Sequence, residues 1–128
     1  MSGQEEVLAF SARGASMAPM LPDGTPVMIR TRPAQLPRVG EIVLVPWGDT
    51  VALHRVVRVR NQQIVTRGDG CPADDPPVPV SGIQGVAIHA LRKGRSLPLD
   101  GPGMRALGWM LAKVMPALWR IRMGIRPY

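Results

Sequence analysis

Residues 51–67 read VALHRVVRVRNQQIVTR and give the clearest indication of how this chain folds. Valine and arginine alternate at the end of the first ten residues, VALHRVVRVR, and a period of two is typical of a β-strand with one buried face. Asn61 and Gln62 separate this run from QIVTR at 63–67, as the turn of a hairpin would. The stretch therefore predicts a long strand paired with a shorter one.

Further short apolar runs lie between turn-forming residues on either side of this hairpin. They are residues 7–10, 26–30, 41–45 and 85–91, with the third run expected to end at Pro46 and a hairpin connection expected over 47–50. The 14 glycines and 14 prolines among 128 residues argue against a helical bundle and favour strands joined by turns. A chain of this length allows one compact domain. The predicted fold class is mainly β, in a domain over residues 1–94.

Positive charge is concentrated at the C-terminal end of the chain. Residues 1–91 hold eight arginines against eight acidic residues, whereas residues 92–128 hold eight basic residues against Asp100 alone. After a linker expected over 95–103, residues 104–128 are predicted to form a basic amphipathic tail, helical over 104–123 and kinked or broken at Pro116. Its Trp, Leu and cationic residues suit a helix in a membrane interface. They equally suit a helix that packs on the body or on a partner protein, and they suit nucleic acid less well because of the aromatic and Met content.

The N-terminal sequence MSGQEEVLAF has neither the basic region nor the long apolar run of a targeting peptide. No stretch reaches the roughly 20 apolar residues that span a bilayer. We therefore expect a soluble, cytoplasmic protein. Any contact with a membrane is expected to be peripheral and to involve residues 104–123.

The cysteine and histidine content argues against a metal centre. Cys71 is the single cysteine, which excludes an internal disulfide and a Cys-based zinc cage. His54 and His89 are the two histidines, and neither CxxC nor HExxH occurs. We expect no metal and no cofactor, and we interpret Cys71 as a bystander.

The chain does contain the residue types of nucleophilic catalysis. Ser16 lies in a Gly- and Pro-rich segment, GASMAPML, and a serine hydroxyl needs an adjacent base to become a nucleophile. His54 on the long strand is a candidate base, and Asp69, Asp74 and Asp75 on the following loop are candidate acids to orient it. Each also has an ordinary explanation, as a turn serine, a core histidine or solvated loop acids. Composition alone does not assemble them into one site.

Five short motifs follow one another over residues 10–91. They are Ser16-Met17-x-Pro19 with Pro22-Asp23-Gly24, Gly40-Glu41-Ile42-Val43, Leu53-His54-Arg55-Val56-Val57, Thr66-Arg67-Gly68-Asp69 with Ala73-Asp74-Asp75, and Pro79-Val80 to Gly85-Val86. In order and spacing this series resembles the signal peptidase I superfamily of S24/S26-type serine peptidases. The resemblance implies the compact catalytic β domain of that superfamily.

The resemblance also implies roles for individual residues. Ser16 would be the nucleophile, and His54 stands where bacterial members carry a lysine, as in the archaeal, endoplasmic reticulum and sporulation-type enzymes. Asp75 is the preferred acid for orienting His54 and Asp69 the preferred supporting residue, although the two assignments can be exchanged. Met17 and Pro19 are the expected substrate contacts.

The expected activity is endoproteolysis that removes a leader, signal or propeptide from a specific client, after small residues in the manner of the family. The chain departs from the family pattern at Gly14, Thr25 and Gly70, and in having no apolar segment before Ser16. One alternative is a non-catalytic β-domain adaptor that binds membrane or partner through its tail. Another is a self-cleaving regulator, although only 15 residues precede Ser16 for such a protein to cleave.

Overall fold

A computed structural model describes residues 7–14, 17, 20–31 and 36–123, with the side chains of 112 and 115–123 outside the description. Within this part the chain forms eight strands and one long helix. They are β1 (Val7–Ser11), β2 (Pro26–Arg30), β3 (Ile42–Trp47), β4 (Thr50–Arg60), β5 (Gln63–Arg67), β6 (Val78–Pro79), β7 (Gly85–Arg92), β8 (Arg95–Pro98) and α1 (Pro102–Met123), with a 3₁₀ turn at Val80–Gly82. The predicted mainly β class is confirmed.

The strands form one antiparallel sheet in the order β1-β2-β7-β3-β4-β5-β6, with β8 paired to β7. The sheet curls into a half-barrel, and α1 follows its last strand. Two groups of buried apolar residues fill the fold. One group includes Leu21, Ile29, Ile42, Leu53 and Leu99, and the other includes Val43, Val56 and Ile64.

Strand β4 lies between β3 and β5 and carries the longest pairing in the sheet. His54 stands opposite Val43 on β3, and Val56 stands opposite Thr66 on β5. The β4–β5 turn has Asn61 and Gln62 at φ 52° and 65°, which is the left-handed backbone that a two-residue hairpin turn of type I′ requires. The hairpin predicted from residues 51–67 is therefore present.

Strand β3 does not end at Pro46, as the sequence predicted, but continues to Trp47. On its other edge β3 pairs with β7 only at Val43 and Leu44. No described strand pairs with β3 beside Pro46 on that edge, so the N–H that proline lacks is not needed there. Proline is tolerated at such an edge.

The C-terminal part also differs from the prediction. Residues 95–98, expected in a linker, form β8, which folds back on β7 through a turn with Lys93 and Gly94 at φ 52° and 75°. Helix α1 begins at Pro102 rather than Met104, because proline fits the first turn, where an N–H has no intrahelical partner. The helix is not broken at Pro116. In the described part of the chain, no helix is both long and apolar enough to cross a membrane.

Candidate active site

His54 is held in the middle of β4 by a carboxylate on a neighbouring loop. The side chain is buried, and its Nδ1 lies 2.5 Å from Asp75 Oδ2. An ionised carboxylate only accepts hydrogen bonds, so Nδ1 carries the proton and donates it. Nε2 is then the basic nitrogen of the ring, as in a general base whose tautomer an acid has fixed.

Asp75 is in turn fixed by strand β5. The Thr66 hydroxyl donates to Asp75 Oδ2 at 2.7 Å, and the Asp75 N–H donates to the Thr66 carbonyl oxygen at 2.8 Å. Thr66 itself is held in register with β4. The imidazole and its acid are therefore positioned by the same hairpin.

Asp69 contacts Arg55 and not His54. Its two oxygens accept from Arg55 Nε at 2.7 Å and Arg55 Nη2 at 2.6 Å, in a bidentate ion pair. Both side chains are buried, at 2% and 3% exposure, and Arg55 Nη1 donates to the Gly40 carbonyl oxygen at 2.8 Å. Charge-assisted bidentate pairs are strong and directional, so this pair fixes the loop that also carries Asp75.

Ser16 and Pro19 lie outside the described residues, but neighbours of the serine are described. Met17 is buried, and its Sδ accepts from the Asp69 N–H at 3.4 Å. Met20 Sδ accepts from Arg55 Nη2 at 3.2 Å. The chain on the C-terminal side of Ser16 is thus attached to the Arg55–Asp69 pair.

A cavity of about 320 Å³ opens beside the histidine. His54 and Asp75 line it together with Met17, and its apolar walls include Phe10, Ala12 and Leu53. This cavity is where the structure brings the predicted base, the acid that contacts it and the residue after Ser16 to one place. His89 lies elsewhere, exposed on β7 beside Ser96.

Trp47 is a further residue of this cavity, and the sequence interpretation did not identify it. Its ring centroid lies 5.0 Å from that of His54, with the ring planes at 66°, in an edge-to-face arrangement. Such contacts restrict the orientation of both rings. Its place in the hairpin connection predicted over 47–50 gave no sign that the ring reaches His54.

Arg55 and Thr66 were named only as members of motifs, without roles. A signal for Arg55 was present in the sequence, because an arginine among apolar residues in mid-strand must find a carboxylate if it is buried. Thr66 gave no comparable signal, since threonine is common in strands.

Cys71 also lines the cavity and has a raised thiol pKa, because burial and then the negative charge of Asp75 disfavour the thiolate. A raised pKa leaves less thiolate at a given pH, so we expect iodoacetamide to alkylate Cys71 more slowly than free cysteine near neutral pH. Asp75→Asn should accelerate alkylation, and Asp49→Asn in the exposed β3–β4 turn should not. Mass spectrometry of the alkylated fraction over time measures both rates, and equal rates in Asp75→Asn and the unaltered protein would contradict the expectation.

Comparison of the sequence with known families identifies the family of the chain. The model of the Peptidase S24-like family matches residues 1–67, a segment that contains Ser16 and His54 and ends before Asp69 and Asp75. Searches of curated proteins and of solved structures gave no match. Because the family model covers more than half of the chain and supports a peptidase-like function, the chain belongs to the Peptidase S24-like family.

Proposed function

We propose that this protein is a serine endopeptidase of the Ser–His type, with Ser16 as nucleophile, His54 as general base and Asp75 as the acid that orients it. The observation that carries the proposal is the hydrogen bond from His54 Nδ1 to Asp75 in a cavity that Met17 also lines. Met17 is the residue that follows Ser16 in the sequence, and this supports the choice of Ser16 as the nucleophile.

In the proposed reaction, His54 Nε2 accepts the hydroxyl proton of Ser16 as its oxygen attacks the peptide carbonyl. Asp75 stabilises the imidazolium that forms, without itself becoming protonated. His54 then gives the proton to the leaving amine, and a water molecule repeats the sequence to release the acyl group from Ser16. As in the family, backbone N–H groups that include that of Ser16 would bind the oxyanion, where loss of one donor commonly costs on the order of 10²–10³ in rate.

For Asp69 we propose a supporting role in which it does not touch the histidine. Its carboxylate is used by Arg55, and its N–H is used by Met17. These contacts support the idea that Asp69 and Arg55 position the segment around Ser16, while Asp75 positions the base. This division is consistent with the preferred assignment of the two acids.

The proposed substrate is the leader or propeptide of a specific client. A cavity of about 320 Å³ with both apolar and polar walls has room for small side chains next to the bond that is cleaved. Met17 and Pro19 are the proposed substrate contacts, and Met17 does line this cavity. The preference for small residues follows from the resemblance to signal peptidases, and the cavity size is compatible with it.

The test is cleavage of a panel of precursor peptides with Ala-x-Ala-like junctions. The unaltered protein should cleave, Ser16→Ala and His54→Ala should lose activity, and Asp75→Asn should lower kcat by about 10⁴-fold because the imidazole then takes the wrong tautomer. His89→Ala, which removes the exposed histidine, is the matched control and should keep full activity.

Cleavage that survives in Ser16→Ala would refute the assignment of the nucleophile. If the protein cleaves no peptide of the panel and none of its candidate leaders, the non-catalytic adaptor is the better description. Cleavage of the purified chain by itself would instead favour the self-cleaving regulator.

We also propose that α1 contacts an anionic membrane surface through its outer side. Leu107, Met110 and Val114 are exposed there, although they are large and apolar. Lys113 is exposed and lies 5.9 Å from the Trp109 ring centroid. No acidic residue occurs after Asp100, so cationic and apolar side chains share this surface without an opposing charge.

Co-sedimentation with lipid vesicles tests this surface. We expect binding to phosphatidylglycerol vesicles, weaker binding to phosphatidylcholine vesicles, and roughly tenfold weaker binding for Lys113→Glu, since each cation near the surface contributes about 1 kcal/mol. Lys93→Glu makes the same charge change in the β7–β8 turn and should bind like the unaltered protein. Equal binding of the two variants would overturn the proposed surface.

A further inference from the structure

Helix α1 packs on the core through Met104, and one turn further along it approaches the sheet domain by backbone alone. A Cβ placed on Gly108 would overlap the Gly40 carbonyl oxygen and lie 2.5 Å from Arg55 Nη1. A Cβ placed on Gly40 would overlap the Arg105 carbonyl oxygen, and Gly40 also has a left-handed φ of 97°. Any residue larger than glycine at either position would therefore force the helix and the domain apart.

Gly40 is itself part of the structure around the site. Its N–H donates to the Val56 carbonyl oxygen at 2.9 Å, which ties it to β4 two residues beyond His54. Its carbonyl oxygen accepts from Arg55 Nη1 at 2.8 Å. Gly108 thus packs against the guanidinium of Arg55 and against the carbonyl group that this guanidinium binds.

The remaining nitrogens of Arg55 lead towards the serine. Nε and Nη2 hold Asp69, and Nη2 also donates to Met20 Sδ, while the Asp69 N–H donates to Met17 Sδ. A guanidinium is planar and rigid, so a contact that fixes the position of one N–H group also fixes the directions in which its other N–H groups point. The contacts are continuous from α1 to Met17 and Met20, and none of them passes through His54.

We propose that Gly108 is a positioning residue for the reaction, because the docked helix fixes the plane of Arg55 and, through it, the segment that follows Ser16. Helix α1 is then a functional part of the peptidase domain and not only an appended tail. The proposal rests on the proposed role of Ser16 as nucleophile.

The test compares two glycine-to-alanine changes in α1 of the full chain. Gly108→Ala inserts a methyl group into the contact, whereas Gly103→Ala places it in open space in the exposed first turn. Alanine is about 1 kcal/mol more favourable than glycine in a helix interior, so a change in propensity would stabilise α1 in Gly108→Ala and cannot by itself explain a loss. Gly103→Ala is the matched control.

The first readout is the NMR spectrum of ¹³C-methyl-labelled methionines, which needs no substrate. Gly108→Ala should shift the methyl resonances of Met17 and Met20 and leave that of Met28, exposed on β2, in place. Gly103→Ala should leave all three unchanged. Unshifted Met17 and Met20 resonances in folded Gly108→Ala protein would overturn the proposal.

The second readout is cleavage of a peptide that the unaltered protein cuts, at a temperature where circular dichroism shows each variant folded. Gly108→Ala should lower kcat on the order of 10²-fold with little change in KM, as expected for a misplaced nucleophile. Equal kcat in the two alanine variants would contradict the proposal while leaving the peptidase activity intact. If the unaltered protein cuts nothing, the proposed function fails, and the methyl spectra alone decide whether α1 is coupled to Met17 and Met20.

If Gly108→Ala does not fold, Met104→Ala replaces it. Met104 packs against the core from α1, and its truncation loosens the helix without adding an atom at Gly40. Because Met104 packs on the same core cluster as Met17 and Met20, its readout is instead the Arg55 Nε–H resonance, which should shift when the helix loosens. An unshifted Arg55 Nε–H resonance in folded Met104→Ala protein would overturn the proposal.

Discussion

The buried ion pair between Arg55 and Asp69 is the interaction on which the rest of the site depends. Removing two charges from water costs several kcal/mol for each ion, and the cost is offset only by hydrogen bonds of good geometry. Here the guanidinium donates to both Asp69 oxygens, the Gly40 carbonyl oxygen and Met20 Sδ, which accounts for four of its five N–H groups. Loss of either partner would leave the other charge buried, which typically costs about 3–5 kcal/mol.

This pair explains how a domain of this size positions the proposed catalytic residues. Adjacent residues of β4, His54 and Arg55, each bind one acid of the loop that follows β5. Asp75 and Asp69 are therefore not interchangeable in the folded protein: Asp75 contacts His54, and Asp69 contacts Arg55 and, through its N–H, Met17. The same arginine connects the site to α1 on its far side.

The sequence predicted much of the fold because the signals were local. Alternation over residues 51–60 and the turn at Asn61 and Gln62 predicted the central hairpin. The series of motifs predicted the S24/S26-type superfamily, which the match to the Peptidase S24-like family supports. The choice between the two acids was not predictable from periodicity, because both lie on one irregular loop where spacing does not determine direction. The catalytic roles of Ser16, His54 and Asp75 stay predictions.

Features that depend on long-range contact were missed. Strand β8 lay in a segment that read as a linker, since its pairing with β7 depends on a turn with a non-glycine residue, Lys93, in left-handed backbone. Gly108 received no interpretation from the sequence, which does not show that Gly40 and Arg55 meet it. Trp47 was missed for the same reason.

The most direct measurement is to treat the protein with a fluorophosphonate probe and locate the adduct by mass spectrometry. The account predicts one adduct, on Ser16, that forms at the same rate in His89→Ala and is lost in His54→Ala, because an unassisted serine hydroxyl is a poor nucleophile. An adduct on another residue, or one on Ser16 that forms equally fast without His54, would contradict the account.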